Sequence, residues 1–336
     1  METKFFGENQ IADAVKILKS GGIVAIPTET VYGLAASAYN IKAIGNIFKA
    51  KGRPLDNPLI VHISSPEEIY GVVSEFPELA KKLTGKFWPG PLTVILPKNR
   101  DIPLEVTGGM NSVAVRCPAN VIAQKVISMA EVPLVAPSAN ISGRPSPTKF
   151  EHVVADLNGK IDAVIDGGDC EIGLESTVVS LVSNVPKILR PGKVSVEEIE
   201  KIIGKVEVDK FVHEKFQGSQ KVLSPGMKYK HYSPQTPVTI VIGSPEKYAE
   251  FVNFNISQNI VALCFDEDIP FVEVPYISYG SMWVTSAQAC NLFDALRKCD
   301  ELNSSKIYAH YIKCDEMSLA IYNRLIRAAG FDIIEL

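Results

Sequence analysis

Apolar residues along this chain alternate between two spacings. From Asn9 to Leu18 they fall at Ile11, Ala14, Val15 and Leu18, one face of a helix, and Gly21-Gly22 ends it. A short apolar run, Ile23 to Ile26, follows and closes at Pro27. Comparable runs recur at Leu59 to Ile63, Leu92 to Leu96, Val113 to Val115, Leu134 to Ala136, Ala163 to Ile165, Thr177 to Leu181 and Lys187 to Leu189. Helices are expected between them at Ile41 to Lys49, Glu67 to Val73, Glu78 to Phe87 and Val121 to Met129. This alternation predicts an α/β fold.

Ser195-Val-Glu-Glu198 has capping-box spacing ahead of Ile199, Ile202 and Ile203, so a helix closes a first domain near residue 204. From Val208 to Pro237 the periodicity is lost. Lys210, Lys215, Lys221, Lys228 and Lys230 gather there with Pro225-Gly226, Pro234 and Pro237, the composition of a linker. Strands at Val238 to Ile242, Ile260 to Cys264 and Ile307 to Tyr311, with helices at Lys247 to Phe254, Ala287 to Lys298 and Leu319 to Ala329, then predict a second, smaller α/β unit. The expected division is 1–205, a linker 206–237, and 238–336. A length of 336 residues suits two domains of about 150 each.

Charge narrows the partners. Lys plus Arg count 34 and Asp plus Glu 38, a net −4 that argues against a surface coated with nucleic acid or anionic membrane, while leaving a local basic cleft open. The six cysteines form no C-x-x-C pair, so neither a metal site nor a disulfide framework is indicated. The first ten residues lack a signal-peptide apolar core, and no run approaches the roughly 18 apolar residues of a membrane span. The expected compartment is the cytoplasm.

Candidate chemistry collects at strand ends of the first domain, where open α/β sheets place their ligands. Pro27-Thr28-Glu29-Thr30-Val-Tyr-Gly33 puts hydroxyls and a carboxylate at one exit, although an ordinary hydroxyl turn would explain it equally. Lys49-Ala-Lys51-Gly-Arg53 gathers cations at a helix end, where they suit either the helix dipole or an anion. His62 in an apolar strand reads more readily as a core histidine. Arg116 shares a strand face with Ser112 and needs a carboxylate from the protein or from a ligand. Ala136-Pro-Ser138-Ala-Asn140 begins a hydroxyl-rich loop whose further end, Thr148, is a candidate N-cap. The sequences of Walker loops, nucleophile elbows, zinc proteases and dinucleotide folds are missing.

Taken together, Pro27-Thr-Glu-Thr-Val-Tyr-Gly33, Lys51-Gly-Arg-Pro54, Asn57-Pro-Leu59, Trp88-Pro-Gly-Pro-Leu-Thr93, Val113-Ala-Val-Arg116, Ala136-Pro-Ser-Ala-Asn140, Glu175-Ser-Thr-Val178, Ile188-Leu-Arg-Pro-Gly192 and Ser224-Pro-Gly-Met-Lys-Tyr-Lys-His-Tyr232 resemble the threonylcarbamoyl-adenylate synthase family. The resemblance spans essentially the whole chain, in the long form with an extra C-terminal domain. It implies a YrdC-like open twisted mixed sheet with flanking helices, followed by a Rossmann-like α/β domain. The implied enzyme is a nucleotidyltransferase condensing L-threonine, bicarbonate and ATP, with Mg²⁺ carried on ATP. Its product would pass to a downstream tRNA threonylcarbamoyl transferase complex, and a contact with RNA stays open.

By position, the family's threonine contacts fall on Thr30, His62, Arg116, Ala136 and Ser176. Those for ATP fall on Arg53, Asn57, Ser112, Ser138, Ser146, Arg190 and Tyr232. Lys51 is added as an anion ligand and, with Arg53, as a catalytic cation; no metal ligands are expected. Since Tyr232 is implicated, Ser224 to Pro234 is expected to close over the crevice as a lid. The pattern departs from the family at Ala35, Asn120 and Ser180, commonly Gly, His and Asp, none of them assigned to a substrate. The rival readings are a double-stranded RNA-binding module and a related carbamoyl-adenylate enzyme.

Overall fold

The computed structural model describes residues 2–214 and 231–336, which cluster into two compact units. The first comprises 2–142, 147–171 and 175–214; the second comprises 143–146, 172–174 and 231–336. Most of the expected lid, 224–230, lies outside the described residues.

The first unit is built on a mixed sheet of eleven strands among the described residues. They are β1 (Lys4–Phe6), β2 (Val24–Ile26), β3 (Gly33–Ser37), β4 (Ile60–His62), β5 (Leu92–Pro97), β6 (Ser112–Arg116), β7 (Leu134–Val135), β8 (Ala163–Ile165), β9 (Thr177–Ser180), β10 (Lys187–Arg190) and β11 (Glu207–Val208), in the spatial order β1-β8-β2-β3-β7-β4-β6-β5-β9-β10-β11. The helices are α1 (Ile11–Lys19), α2 (Ile41–Lys51), α3 (Glu78–Phe87), α4 (Leu104–Thr107), α5 (Val121–Ala130), α6 (Phe150–Leu157) and α7 (Val196–Ile203).

Alternation along the strands divides the core between two faces. Val24 and Ile26 of β2 pack with α1, through Ile11, Ala14, Val15 and Leu18, and with Ile122, Ala123, Val126 and Ile127 of α5. Ala25, Val61, Val94 and Val115 join the other layer, with Ile44, Ile47 and Phe48 of α2 and Leu83 of α3. Burial of each large aliphatic side chain contributes about 1.5–3 kcal/mol. Local signals mark the helix ends: Asn40, Asn120 and Ser195 accept from the amide three residues on, and Glu198 completes the Ser195 capping box. Asn120 therefore serves as a helix cap at the position where the family pattern often has His.

The structure departs from the sequence expectation at several places, including elements the periodicity did not announce, such as α6 and the strand Ile333–Glu335. β3, Gly-Leu-Ala-Ala-Ser, has no β-branched residue to announce it, yet it is held between β2 and β7. The segment expected as a helix from Glu67 forms a 3₁₀ helix, Pro66–Gly71. Thr148 is not an N-cap: α6 begins at Phe150 with Lys149 in the cap position, and the Thr148 amide donates to His152 Nδ1.

The second unit is a five-stranded parallel sheet among the described residues. Its strands are β12 (Val238–Ile242), β13 (Ile260–Cys264), β14 (Tyr276–Ser278), β15 (Lys306–Tyr311) and β16 (Ile333–Glu335), in the order β14-β13-β15-β12-β16. With them run α8 (Pro245–Phe254), α9 (Thr285–Glu301) and α10 (Met317–Ala328), giving a Rossmann-like layer arrangement. His310 and Asp268, both wholly buried, lock its centre: His310 Nδ1 lies 2.7 Å from the Asp268 carboxylate and Nε2 3.1 Å from Gly243 O.

Candidate functional site

Parallel pairing of β4 with β6 sets His62 opposite Arg116, and antiparallel pairing of β5 with β6 sets Thr93 opposite Arg116. The three residues therefore share one face near the strand ends in the middle of the sheet. The exit of β2 supplies Thr28, Glu29 and Thr30, all buried. Arg116 Nη1 donates to Thr30 Oγ1 at 2.8 Å, Nε donates to Gly90 O at 3.3 Å, and Nη2 lies 2.8 Å from Glu29 Oε1. The Ala119 amide donates to the same Glu29 oxygen at 3.0 Å. Thr28 Oγ1, 2.9 Å from Thr30 Oγ1, ties the loop together.

The electrostatics follow from burial. Desolvation pushes the Glu29 carboxyl up, but Arg116 and the Ala119 amide more than reverse this and hold it below its ordinary value. His62 is pushed down to about 3 by burial, with Arg116 adding to the effect, so its ring is neutral at physiological pH. Its Nδ1 faces Ile60 O at 3.1 Å, which assigns the proton to Nδ1 and leaves Nε2 an acceptor.

A second group of bonds joins β5, β9 and β10. Thr93 Oγ1 lies 2.7 Å from Ser176 Oγ, while Arg190 donates from Nη2 to Ser176 Oγ at 3.1 Å and from Nε to Ser176 O at 3.0 Å. Gly192 permits this approach, because a Cβ there would run into the Ser176–Thr177 backbone.

The loop leaving β7 is pinned by Lys51. Its ammonium donates to Ser138 O, to Asn140 O at 2.7 Å and to Asn140 Oδ1 at 3.3 Å, and Ser138 Oγ donates to Asn140 Oδ1 at 2.6 Å. Burial drives the Lys51 amine well below its usual value, and neighbouring Arg53 adds to this. Lys51, expected as an anion ligand, makes its hydrogen bonds here to the loop that carries Ser138. The Ala136 amide donates to Ile60 O at 3.2 Å, fixing the start of that loop beside the His62 strand.

Arg53 donates to Pro58 O at 2.9 Å and to Asn57 O at 3.4 Å, closing the turn on which Asn57 sits. Ser112 lies four residues from Arg116, about 13 Å along β6. The segment leading into it packs on the Arg53–Asn57 turn. Gly108 allows this contact with φ +59°, where a Cβ would stand 2.9 Å from Asp56 O. Ser146 and Tyr232 belong to the second unit. There Tyr232 is buried, its ring 5.2 Å from Phe293 and 5.7 Å from the Arg324 guanidinium carbon, with φ +63°.

Three buried polar atoms at these positions have no aligned hydrogen-bond partner among the described residues: Asn57 Oδ1, Arg116 Nη2 and Glu29 Oε2. Buried polar atoms in folded proteins are nearly always satisfied, so water or a ligand would complete the bonding of these groups. Glu29, Thr93 and Asn140 are not among the site residues the sequence singles out. The need of an inward Arg116 for a carboxylate was the available signal for Glu29; nothing local marked Thr93. Among the described residues no three His, Cys, Asp or Glu side chains are grouped to hold a metal.

Residues 16–192 match the family model described as telomere recombination, which spans Sua5, YciO and YrdC, and residues 194–330 match that described as the threonylcarbamoyl-AMP synthase C-terminal domain. The chain is 43% identical over 334 residues to a threonylcarbamoyl-AMP synthase of Pyrococcus abyssi, covering 98% of this chain and 96% of that one. It is 43% identical over 329 residues to the Bacillus subtilis protein of the same description, covering 97% and 94%. The crystal structure of P. abyssi Sua5 complexed with L-threonine superposes with a TM-score of 0.91 at 40% identity, over 100% of both chains.

Proposed function

The chain belongs to the Sua5, YciO and YrdC family in the two-domain form of the threonylcarbamoyl-AMP synthases, and from that premise we propose how its residues carry the reaction. The activity is synthesis of L-threonylcarbamoyl-adenylate, a nucleotidyl transfer that uses L-threonine and ATP and serves tRNA modification.

The observation that carries the site assignment is Arg116. It is buried, neutralised by Glu29, fixed by Thr30 and Gly90, and still holds an unaligned Nη2. A planar guanidinium with donors to spare suits a carboxylate, here that of threonine. Neutral His62 offers Nε2 as an acceptor to the amine or hydroxyl of the same substrate. In the proposed chemistry, the threonine amine attacks bicarbonate to form a carbamate with loss of water. A carbamate oxygen then attacks the α-phosphorus of ATP, and pyrophosphate leaves. Each reactant is anionic, so held cations and hydrogen-bond donors supply the catalysis, and no covalent intermediate with the protein is required.

Asn57, the Ser112 strand end and Ser138 would hold ATP in the first unit, with Arg53 and Arg190 opposing phosphate charge. Lys51 supports Ser138 from beneath. Ser146 and Tyr232 are assigned to the nucleotide by the family resemblance alone. Mg²⁺ would arrive on the triphosphate, since the described residues offer no carboxylate cage, and no step is assigned to it. No helix among the described residues is long and apolar enough to cross a membrane. The reading places the work in the cytoplasm with ATP and tRNA, the adenylate passing to a tRNA threonylcarbamoyl transferase. RNA binding as sole function and sister carbamoyl-adenylate chemistry are not favoured, because synthases match nearly the whole chain.

Incubation with ATP, Mg²⁺, bicarbonate and threonine, followed by mass spectrometry and pyrophosphate release, tests the reading. Product should require both threonine and bicarbonate; turnover with serine alone, or without bicarbonate, would contradict it.

A further inference from the structure

Thr93 lies on β5 opposite Arg116 and is wholly buried. Among the described residues its hydroxyl has one partner, Ser176 Oγ at 2.7 Å. Either hydroxyl can donate across this contact; with Thr93 donating to Ser176 Oγ, its hydrogen is satisfied within the protein and that of Ser176 is left for a ligand. Arg190 Nη2 donates to the same oxygen at 3.1 Å. Both lone pairs of Ser176 Oγ are then taken. In that arrangement its own hydrogen is left without a protein acceptor among the described residues, and the hydroxyl can act toward a substrate only as a donor.

We propose that Thr93 is a positioning residue that, with Arg190, fixes the Ser176 hydroxyl as an obligate hydrogen-bond donor and thereby sets the orientation of the bound amino acid. This rests on the assignment of threonine to Ser176. Ser176 meets an oxygen acceptor of the substrate and turns away its ammonium group, whose hydrogens would oppose the hydroxyl hydrogen. Arg116, another donor, acts on the same end. Neutral His62, with Nε2 as an acceptor, suits the other. The polarity of the pocket therefore aligns the carboxylate with the donors and leaves the amine toward the acceptor, the arrangement an amine attacking bicarbonate requires.

Thr93→Val tests this, since valine keeps the β-branched shape and strand preference while removing the hydroxyl. The expected result is a threonine KM raised roughly five- to tenfold, the effect of one lost hydrogen bond. The ATP KM should stay within about twofold, and the melting temperature should not fall. Thr93→Ser, which restores the hydroxyl, should return the threonine KM toward wild type. In a Ser176→Ala background, Thr93→Val should add nothing.

An unchanged threonine KM in Thr93→Val, or the same increment in the Ser176→Ala background, would overturn the inference. Should Ser176→Ala alone leave the threonine KM unchanged, the assignment of threonine to Ser176 fails first and takes the inference with it. If Thr93→Val does not fold, Thr93→Ala against Thr93→Ser gives the same hydroxyl comparison, and equal threonine KM values in that pair would overturn the proposal.

Discussion

Arg116 Nη2 and Glu29 Oε1 stand 2.8 Å apart with only 5% and 7% of their side chains exposed, so the cation assigned to the threonine carboxylate is already paired before substrate arrives. This solves a folding problem and a binding problem together. An unpaired guanidinium at that depth would be strongly disfavoured. The Glu29 contact at Nη2 is close but not aligned as a hydrogen bond.

Glu29→Gln should destabilise the protein by about 3 kcal/mol, because removing one partner strands the other buried charge. Threonine should raise the melting temperature of this variant more than that of wild type, its carboxylate compensating Arg116. Thermal denaturation with and without threonine checks both. Equal threonine-induced shifts in the two proteins would contradict the account.

Acid should destabilise the fold through His62. Its folded value, about 3, lies below the ordinary 6.5, so the unfolded chain binds the extra proton first. The stability contribution is intact above about pH 6.5 and is lost progressively as pH falls toward 3. Glu29, also held below its ordinary value, acts in the same direction at lower pH. His62→Gln should flatten the dependence between pH 6.5 and 4 in urea titrations. A wild-type slope would count against a buried neutral histidine.

Lys51→Met should loosen Ser138 and Asn140 by removing the hydrogen bonds to their loop. The ATP KM should rise about tenfold or more, with threonine binding in the absence of ATP little affected. Lys51→Arg should not rescue it, since the planar fork has no space at a site 1% exposed. Steady-state kinetics and threonine calorimetry separate this loop-supporting role from direct contact with bicarbonate.

Ser195→Ala removes the cap of α7 and should cost about 1 kcal/mol of stability without altering either KM. Chemical denaturation and kinetics check it, and a changed KM would show that the helix is coupled to the site.

Periodicity made α1, α2, α3, α5 and the strands β4, β5, β6 and β9 legible because each carries a clear apolar face or run. β3 was not legible: its alanines and glycine signal no strand, and it is fixed by neighbours distant in sequence. Among site residues, the requirement of Arg116 for a carboxylate could be read, but its supplier could not, since Glu29 is brought to it by pairing across the sheet. Lys51 illustrates the opposite limit. A cation near a glycine and an arginine reads as an anion ligand, and nothing local announces its hydrogen bonds to the 138–140 loop.

The most direct test of the central claim, that Arg116 holds the threonine carboxylate, is calorimetric binding of L-threonine and of L-threoninamide to wild type and to Arg116→Gln, with folding verified by circular dichroism. Wild type should bind threonine at least about tenfold more tightly than the neutral amide, a difference of about 1.4 kcal/mol, and in the folded variant that ratio should fall to near one. A folded variant that keeps the wild-type preference for threonine would contradict the claim.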